Sequence, residues 1–153
     1  LAQETGVEVV PVDRPEDAAK GLDIVITATA AREPVLFGEW IGEGQHLNIV
    51  GSNFLGKTET DVEVFRRTQV IAVDSKEQAK LEAGDFVEPM KAGLFQWSDV
   101  YEFAPLFVGR YPGRESPQDV TLFKSLGLGI EDVALAVKVV EAAKKEGLGR
   151  ELM

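Results

Sequence analysis

A chain of 153 residues, 44% hydrophobic and 27% charged, has the composition of an ordinary globular domain large enough to bury a core. Its formal net charge of −10 argues against nucleic acid or an anionic membrane surface as partner, because both select for an excess of Lys and Arg. With no cysteine and one histidine, disulfides, thiolate zinc sites, a Cys nucleophile and a His-rich metal centre are excluded, and no metal site is expected. No apolar run approaches the ~18 residues of a membrane span, and no cationic segment leads into a signal-like stretch. The default expectation is a cytoplasmic location.

In chain order, "LAQETG" reads as the last turn of a helix with Gly6 in the C-cap role, as expected for a piece of something longer. Residues 7–12, "VEVVPV", are β-branched and read as a strand. Asp13 offers an N-cap for "PEDAAKG", one or two helical turns closed by Gly21. Residues 23–29, "DIVITAT", form a near-continuous apolar run, the pattern of a strand buried on both faces of a parallel sheet. A loop with a short helical turn follows. Residues 46–52, "HLNIVGS", read as a second buried strand, 61–68 as a helix with Asp61 near its start, and 69–75 as a third strand. "KEQAKLEAGDFVEPMKAG" reads as mostly helix, interrupted near Gly84. The Pro- and Gly-rich stretch from Trp97 to residue 119 reads as loop with short helical pieces, and 120–125 as another strand. Residues 129–147 carry apolar side chains at helical spacing, with Lys144 and Lys145 near the C-terminus.

Strand and helix alternate, which predicts an α/β fold with a doubly wound, mostly parallel, Rossmann-like sheet. Ligands of such sheets bind beyond the carboxyl ends of the strands. Those ends carry Thr27 and Thr29, then Gly51, Ser52 and Asn53, then Asp74 and Ser75, then Lys124 and Ser125. Small residues let a ligand approach the backbone, and hydroxyl and N–H groups suit ribose or phosphate oxygens. A plain turn would account for Gly51–Asn53 as well, Lys57 alone reads as a solvated lysine, and Lys124 could point outward from its strand. His46 opens its strand while Gly51 closes it; the intervening extended chain spans roughly 23 Å, so His46 is expected far from the site. No GxGxxG opens a βαβ unit, and "LGLGIED" has two glycines at the wrong spacing.

Four blocks carry a resemblance: "DIVITATAAREPVL", "GQHLNIVGSNFLGKTETD", "VIAVDSKEQAKLEAGD" and "GRESPQDVTLFKSLGLGIEDVALA". In collinear order and over most of the chain they resemble the ornithine cyclodeaminase / mu-crystallin family. That family contains cyclodeaminases, an archaeal-type alanine dehydrogenase, ketimine and pyrroline-2-carboxylate reductases, and an NADPH-binding lens protein. Its members are usually homodimers of chains near twice this length. The resemblance implies an incomplete sheet, with the first βαβ unit and its glycine fingerprint absent. Residues 1–118 would be a partial dinucleotide-binding domain, and 119–153 a strand and helix returning toward a substrate and dimerisation half. It implies NAD or NADP as cofactor, contacted by Thr29, Val50, Gly51, Ser52, Lys57 and Ser125. It also implies a small imino or amino acid substrate beside Leu126 and Asn53.

Asn53 departs from the family pattern, which in cyclodeaminases has a proton-handling aspartate there. A carboxylate takes and returns a proton near neutral pH; a carboxamide only orients a partner by hydrogen bonds. The substitution favours a reductase of cyclic imino acids, with Asn53 as the candidate catalytic residue. The alternatives are deaminating cyclisation of ornithine to proline and a non-catalytic NADPH-binding protein. The chain alone is expected to be inactive, and its long C-terminal helix to pack on the other half.

Overall fold

The computed structural model describes residues 2–150. Five strands form one sheet: β1 (Ile24–Thr27), β2 (His46–Ile49), β3 (Thr68–Val73), β4 (Val100–Glu102) and β5 (Val120–Lys124). Their order is β1-β2-β5-β3-β4 and every neighbouring pair is parallel. The register places Ile24 beside His46 and His46 beside Thr121, while Val73 pairs with Lys124 at the opposite end. All carboxyl ends therefore lie along one edge. Among the described residues six α-helices accompany the sheet: α1 (Ala2–Thr5), α2 (Val62–Arg66), α3 (Lys76–Glu82), α4 (Gly84–Lys91), α5 (Phe103–Phe107) and α6 (Gly129–Glu146). Asp61 caps α2 by accepting from the Val64 N–H, and Ser75 caps α3 by accepting from Gln78. Gly6 closes α1 with an N–H bond to Ala2, and α6 ends at Gly147 in the left-handed conformation.

One face of the sheet is closed. Val25, Leu47, Ile49, Ile71, Val73 and Leu122 pack against Val64 and Phe65 of α2, Ala79 of α3 and Phe86 of α4. Phe65 and Phe95 stack at 5.3 Å, with Phe86 edge-on to both. Rings of this kind bury large areas and hold a fixed geometry.

The other face differs from expectation. The residues of β1 alternate between exposed and buried, and Ile24 and Ile26 are 58% and 65% exposed. "DIVITAT" is apolar throughout, yet this chain supplies cover for only one side of it. Farther across, His46, Asn48, Phe103, Arg114, Thr121 and Phe123 line a groove of about 580 Å³. No residue of α6 is buried, and its Ile130, Val133 and Leu135 are exposed.

Three further expectations are corrected. Residues 7–12 form no strand and their valines are exposed, because β-branched residues make a strand only where another strand completes the ladder. Asp13 caps nothing: residues Pro15–Ala18 form a 3₁₀ turn whose N-cap is Arg14, itself without a side-chain cap bond. The stretch read as loop contains β4, a short edge strand on β3 that is followed directly by α5. Three residues among breakers leave too little period to read.

Candidate functional site at the strand ends

Beyond the ladder, the ends of β1 and β2 stay together through Val50, whose N–H donates to the Thr27 carbonyl at 2.9 Å. The Ser125 N–H donates likewise to Ile49 at 3.1 Å, which adds the end of β5 to the same edge. The parallel register thus brings Thr29, Val50, Gly51, Ser52 and Ser125 onto three neighbouring strand ends, as the sequence suggested.

Behind this edge lies a buried polar network. Ser52, Glu59, Asp85 and Lys124 are each at most 2% exposed. Lys124 does not point outward, as one reading of its strand allowed. Position 124 belongs to the core-facing set of β5, so its ammonium lies inside. It donates to the Ser52 carbonyl, to Ser52 Oγ at 3.2 Å, and pairs with Asp85 Oδ2 at 3.2 Å. Asp85 Oδ2 also accepts from the Ser52 hydroxyl at 2.5 Å. Asp85 Oδ1 accepts from the Thr58 hydroxyl and from the N–H groups of Glu59 and Thr60. Burial alone would push the Asp85 carboxyl up. The Lys124 ammonium and the hydrogen bonds from Ser52, Glu59 and Thr58 outweigh it and hold the group below its ordinary value. A buried charge pair persists only when saturated in this way.

Glu59 completes the network. It accepts from the hydroxyls of Thr27 and Thr29 and from the N–H groups of Thr29 and Gly51, at 2.7–2.9 Å. At Gly51 a Cβ would lie 2.2 Å from the Thr29 backbone, so the two strand ends are in direct contact there. At the end of β5, Asp74 Oδ2 accepts from the Ser125 hydroxyl and from the N–H groups of Leu126 and Gly127.

These contacts sort the candidate residues. Thr29, Val50 and Asn53 are exposed along the edge. Ser52 lies there too but is fully buried, its hydroxyl committed to Asp85 and Lys124 and its carbonyl to Lys124. The Ser125 hydroxyl is half-buried and bonded to Asp74, and the Leu126 side chain belongs to the core. Lys57 lines a separate cleft of about 420 Å³ with Arg32, Thr58, Asp61 and Val87, which none of the other candidates lines. His46 lies at the amino end of β2, its Nδ1 2.7 Å from the Thr121 hydroxyl. Burial there holds its imidazole below the ordinary value, against a hydrogen bond with Asn48 that raises it, and the Arg114 charge adds to the lowering. Among the described residues no group of three or more His, Asp or Glu side chains is arranged to hold a metal.

Sequence reasoning missed Glu59 and Asp85. The partners of their carboxyl groups lie 25 to 39 positions away, apart from Gly51, and no local period signals that. The usable hint was a polar run, "KTETD", that directly follows Gly56.

An exposed apolar surface at Val50 beside small residues, Ala28 and Ala30, flanking Thr29 suits a flat ring approached by backbone. The residues present therefore fit the nicotinamide end of a dinucleotide.

Residues 1–147 match the model of the ornithine cyclodeaminase/mu-crystallin family. The chain is 36% identical over 140 residues to an alanine dehydrogenase of Archaeoglobus fulgidus, covering 91% of this chain and 43% of that one. It is 34% identical over 139 residues to a Delta(1)-pyrroline-2-carboxylate reductase of Bacillus cereus, covering 90% and 42%. The fold superposes with a TM-score of 0.87 on the Thermococcus litoralis Delta(1)-pyrroline-2-carboxylate reductase solved with NADH and L-proline, at 38% identity. That match covers 99% of this chain and 47% of the other. The chain thus spans less than half the length of these relatives.

Proposed function

The chain belongs to the ornithine cyclodeaminase/mu-crystallin family, and from that premise we propose that it forms part of the cofactor domain of an NAD(P)-dependent oxidoreductase that reduces a small cyclic imino acid. The carrying observation is the edge itself. Three parallel strand ends are neighbours, a buried network holds Thr29, Gly51 and Ser52, and Thr29, Val50 and Asn53 are exposed along the edge.

Thr29 and the backbone of Val50 and Gly51 would hold the nicotinamide end, with the apolar face of Val50 excluding water from one side and Ser52 buried behind them. NAD(P)H, when bound, supplies the hydride. Asn53 donates and accepts hydrogen bonds without changing charge, which suits orienting an imine or a carboxylate. A substrate that arrives as a protonated imine needs no further acid from this position. Deaminating cyclisation needs a group that takes up and releases protons, and the amide at position 53 disfavours it. The same amide gives some support to a second reading, a protein that binds NADPH without turnover.

The test is oxidation of NADH or NADPH by a full-length protein carrying this chain, with pyrroline-2-carboxylate as substrate. Imine-dependent cofactor oxidation is expected. Conversion of ornithine to proline without imine reduction, or tight NADPH binding with no turnover, refutes the reductase assignment.

A further inference from the structure

The roles above leave Glu59 without a function, yet its carboxyl meets four donors. Its carboxyl is fully buried, and among the described residues no cation lies within salt-bridge distance. Each oxygen is instead taken by one backbone N–H and one hydroxyl. Oε1 accepts from the Thr29 N–H at 2.7 Å and the Thr29 hydroxyl at 2.8 Å. Oε2 accepts from the Gly51 N–H at 2.7 Å and the Thr27 hydroxyl at 2.9 Å. One side chain therefore spans from the end of β1 to the end of β2, past the last ladder bond. Its own backbone is anchored in turn: the Glu59 N–H donates to Asp85, and its carbonyl accepts from Val35 and Leu36.

We propose that Glu59 is a positioning residue for the cofactor. It sets the spacing between Thr29 and the Val50–Gly51 segment, and with it the fit of the surface offered to the nicotinamide end. This rests on the cofactor reading given above. The ladder alone does not fix that spacing, because Thr29 and Gly51 lie beyond its last paired residues, Thr27 and Ile49. The chemistry requires acceptors only. A backbone N–H cannot reverse its direction, so an amide placed here turns its NH2 toward a donor whichever way it is flipped. Glu59→Gln therefore breaks the clamp on one strand and keeps it on the other. Thr27→Val removes one of the four donors at nearly constant volume, and Thr27→Ser restores it.

The test uses a full-length protein carrying this chain. NADH and NADPH affinities are measured by fluorescence titration, kcat and cofactor KM separately, and amide exchange across residues 27–31, 50–53 and β3. Glu59→Gln is expected to weaken cofactor binding about tenfold, the effect of one lost buried hydrogen bond. It is also expected to speed exchange at Thr29 or Gly51 while β3 stays protected. Thr27→Val is expected to weaken binding about threefold, with Thr27→Ser within about twofold of wild type. A merely structural role would lower stability and leave cofactor affinity of the folded protein unchanged. The inference is overturned if Glu59→Gln binds cofactor within about twofold of wild type; where that variant does not fold, the same result for Thr27→Val decides. A wild-type protein that binds no NAD(P)H overturns the functional reading, and this inference with it.

Discussion

Removing the buried ammonium gives the most direct check on the network. Lys124→Met keeps most of the length of the side chain and deletes its charge, leaving Asp85 buried without a counter-ion. Breaking one partner of a buried pair costs about 3–5 kcal/mol. Asp85 keeps its donors from Ser52, Thr58, Glu59 and Thr60, so the low end, about 3 kcal/mol, is expected for Lys124→Met. Asp85→Asn is worse. Its carbonyl oxygen must take the Oδ1 position, where two backbone N–H groups point, which turns the NH2 toward Lys124 and Ser52. That leaves a buried ammonium facing a donor, and about 5 kcal/mol is expected. For a chain of this size these losses lower Tm by about 6–20 °C. Thermal melts followed by far-UV circular dichroism, with urea unfolding read through tryptophan fluorescence, give both values. The double variant should recover part of the loss, since it leaves neither charge behind. If Asp85→Asn costs less than Lys124→Met, or if both cost under about 1 kcal/mol, the pair is not the buried contact described.

The sign of the pH dependence follows from the same contacts. The folded-state value of Asp85 lies below its ordinary 3.8, so its stabilisation is complete above that pH and is lost as pH falls through the depressed folded value. The stability gap between wild type and Asp85→Asn should narrow over that window, and a constant gap down to acid unfolding would contradict it. Gly84→Ala adds a Cβ 2.0 Å from the Lys57 carbonyl and 2.7 Å from that of Phe54, so backbone must move. A loss of about 1–3 kcal/mol or more is expected in urea unfolding. Gly129→Ala, which meets open space at the start of α6, is expected to be neutral or to stabilise by up to about 1 kcal/mol. Asn53→Asp should give kcat/KM for imine reduction a new pH limb in the carboxylate range, about pH 4–5; superimposable profiles would remove Asn53 from the substrate side.

The sheet was legible because its signals are local and redundant. Apolar β-branched runs identified β1, β2, β3 and β5 within one or two residues at most ends, and Asp61 announced α2. Residues 7–12 show the limit of that reading, since composition reports a willingness to pair and not the presence of a partner. β4 failed for the opposite reason, having too few residues to show a period. At the site, strand topology brought Thr29, Val50, Gly51, Ser52 and Ser125 to one edge. It did not reveal which hydroxyls are spent internally. Ser52 and Ser125 look like ligands in the sequence because nothing local marks Asp85 and Asp74 as their partners. Lys124 was ambiguous in the sequence for the same reason: what makes an inward lysine tolerable lies 39 and 72 positions away.

Among the described residues, the strand that joins the sheet is its last in the sequence. β5 separates β2 from β3, and its Thr121 contacts His46 across 75 residues. Before β5 is made, the other four strands described form two unjoined pairs, β1 with β2 and β3 with β4. At synthesis rates of about 5–20 residues per second, the open edge of β2 waits about 4–15 s for its neighbour. Closure over such a separation is also intrinsically slow. During that interval two parallel edges stand unpaired, and unpaired edges recruit strands from other chains. Lys124 arrives with the closing strand, so Asp85 receives its counter-ion in the step that unites the sheet. The order of synthesis therefore makes residues 120–124 the point at which folding and misassembly part.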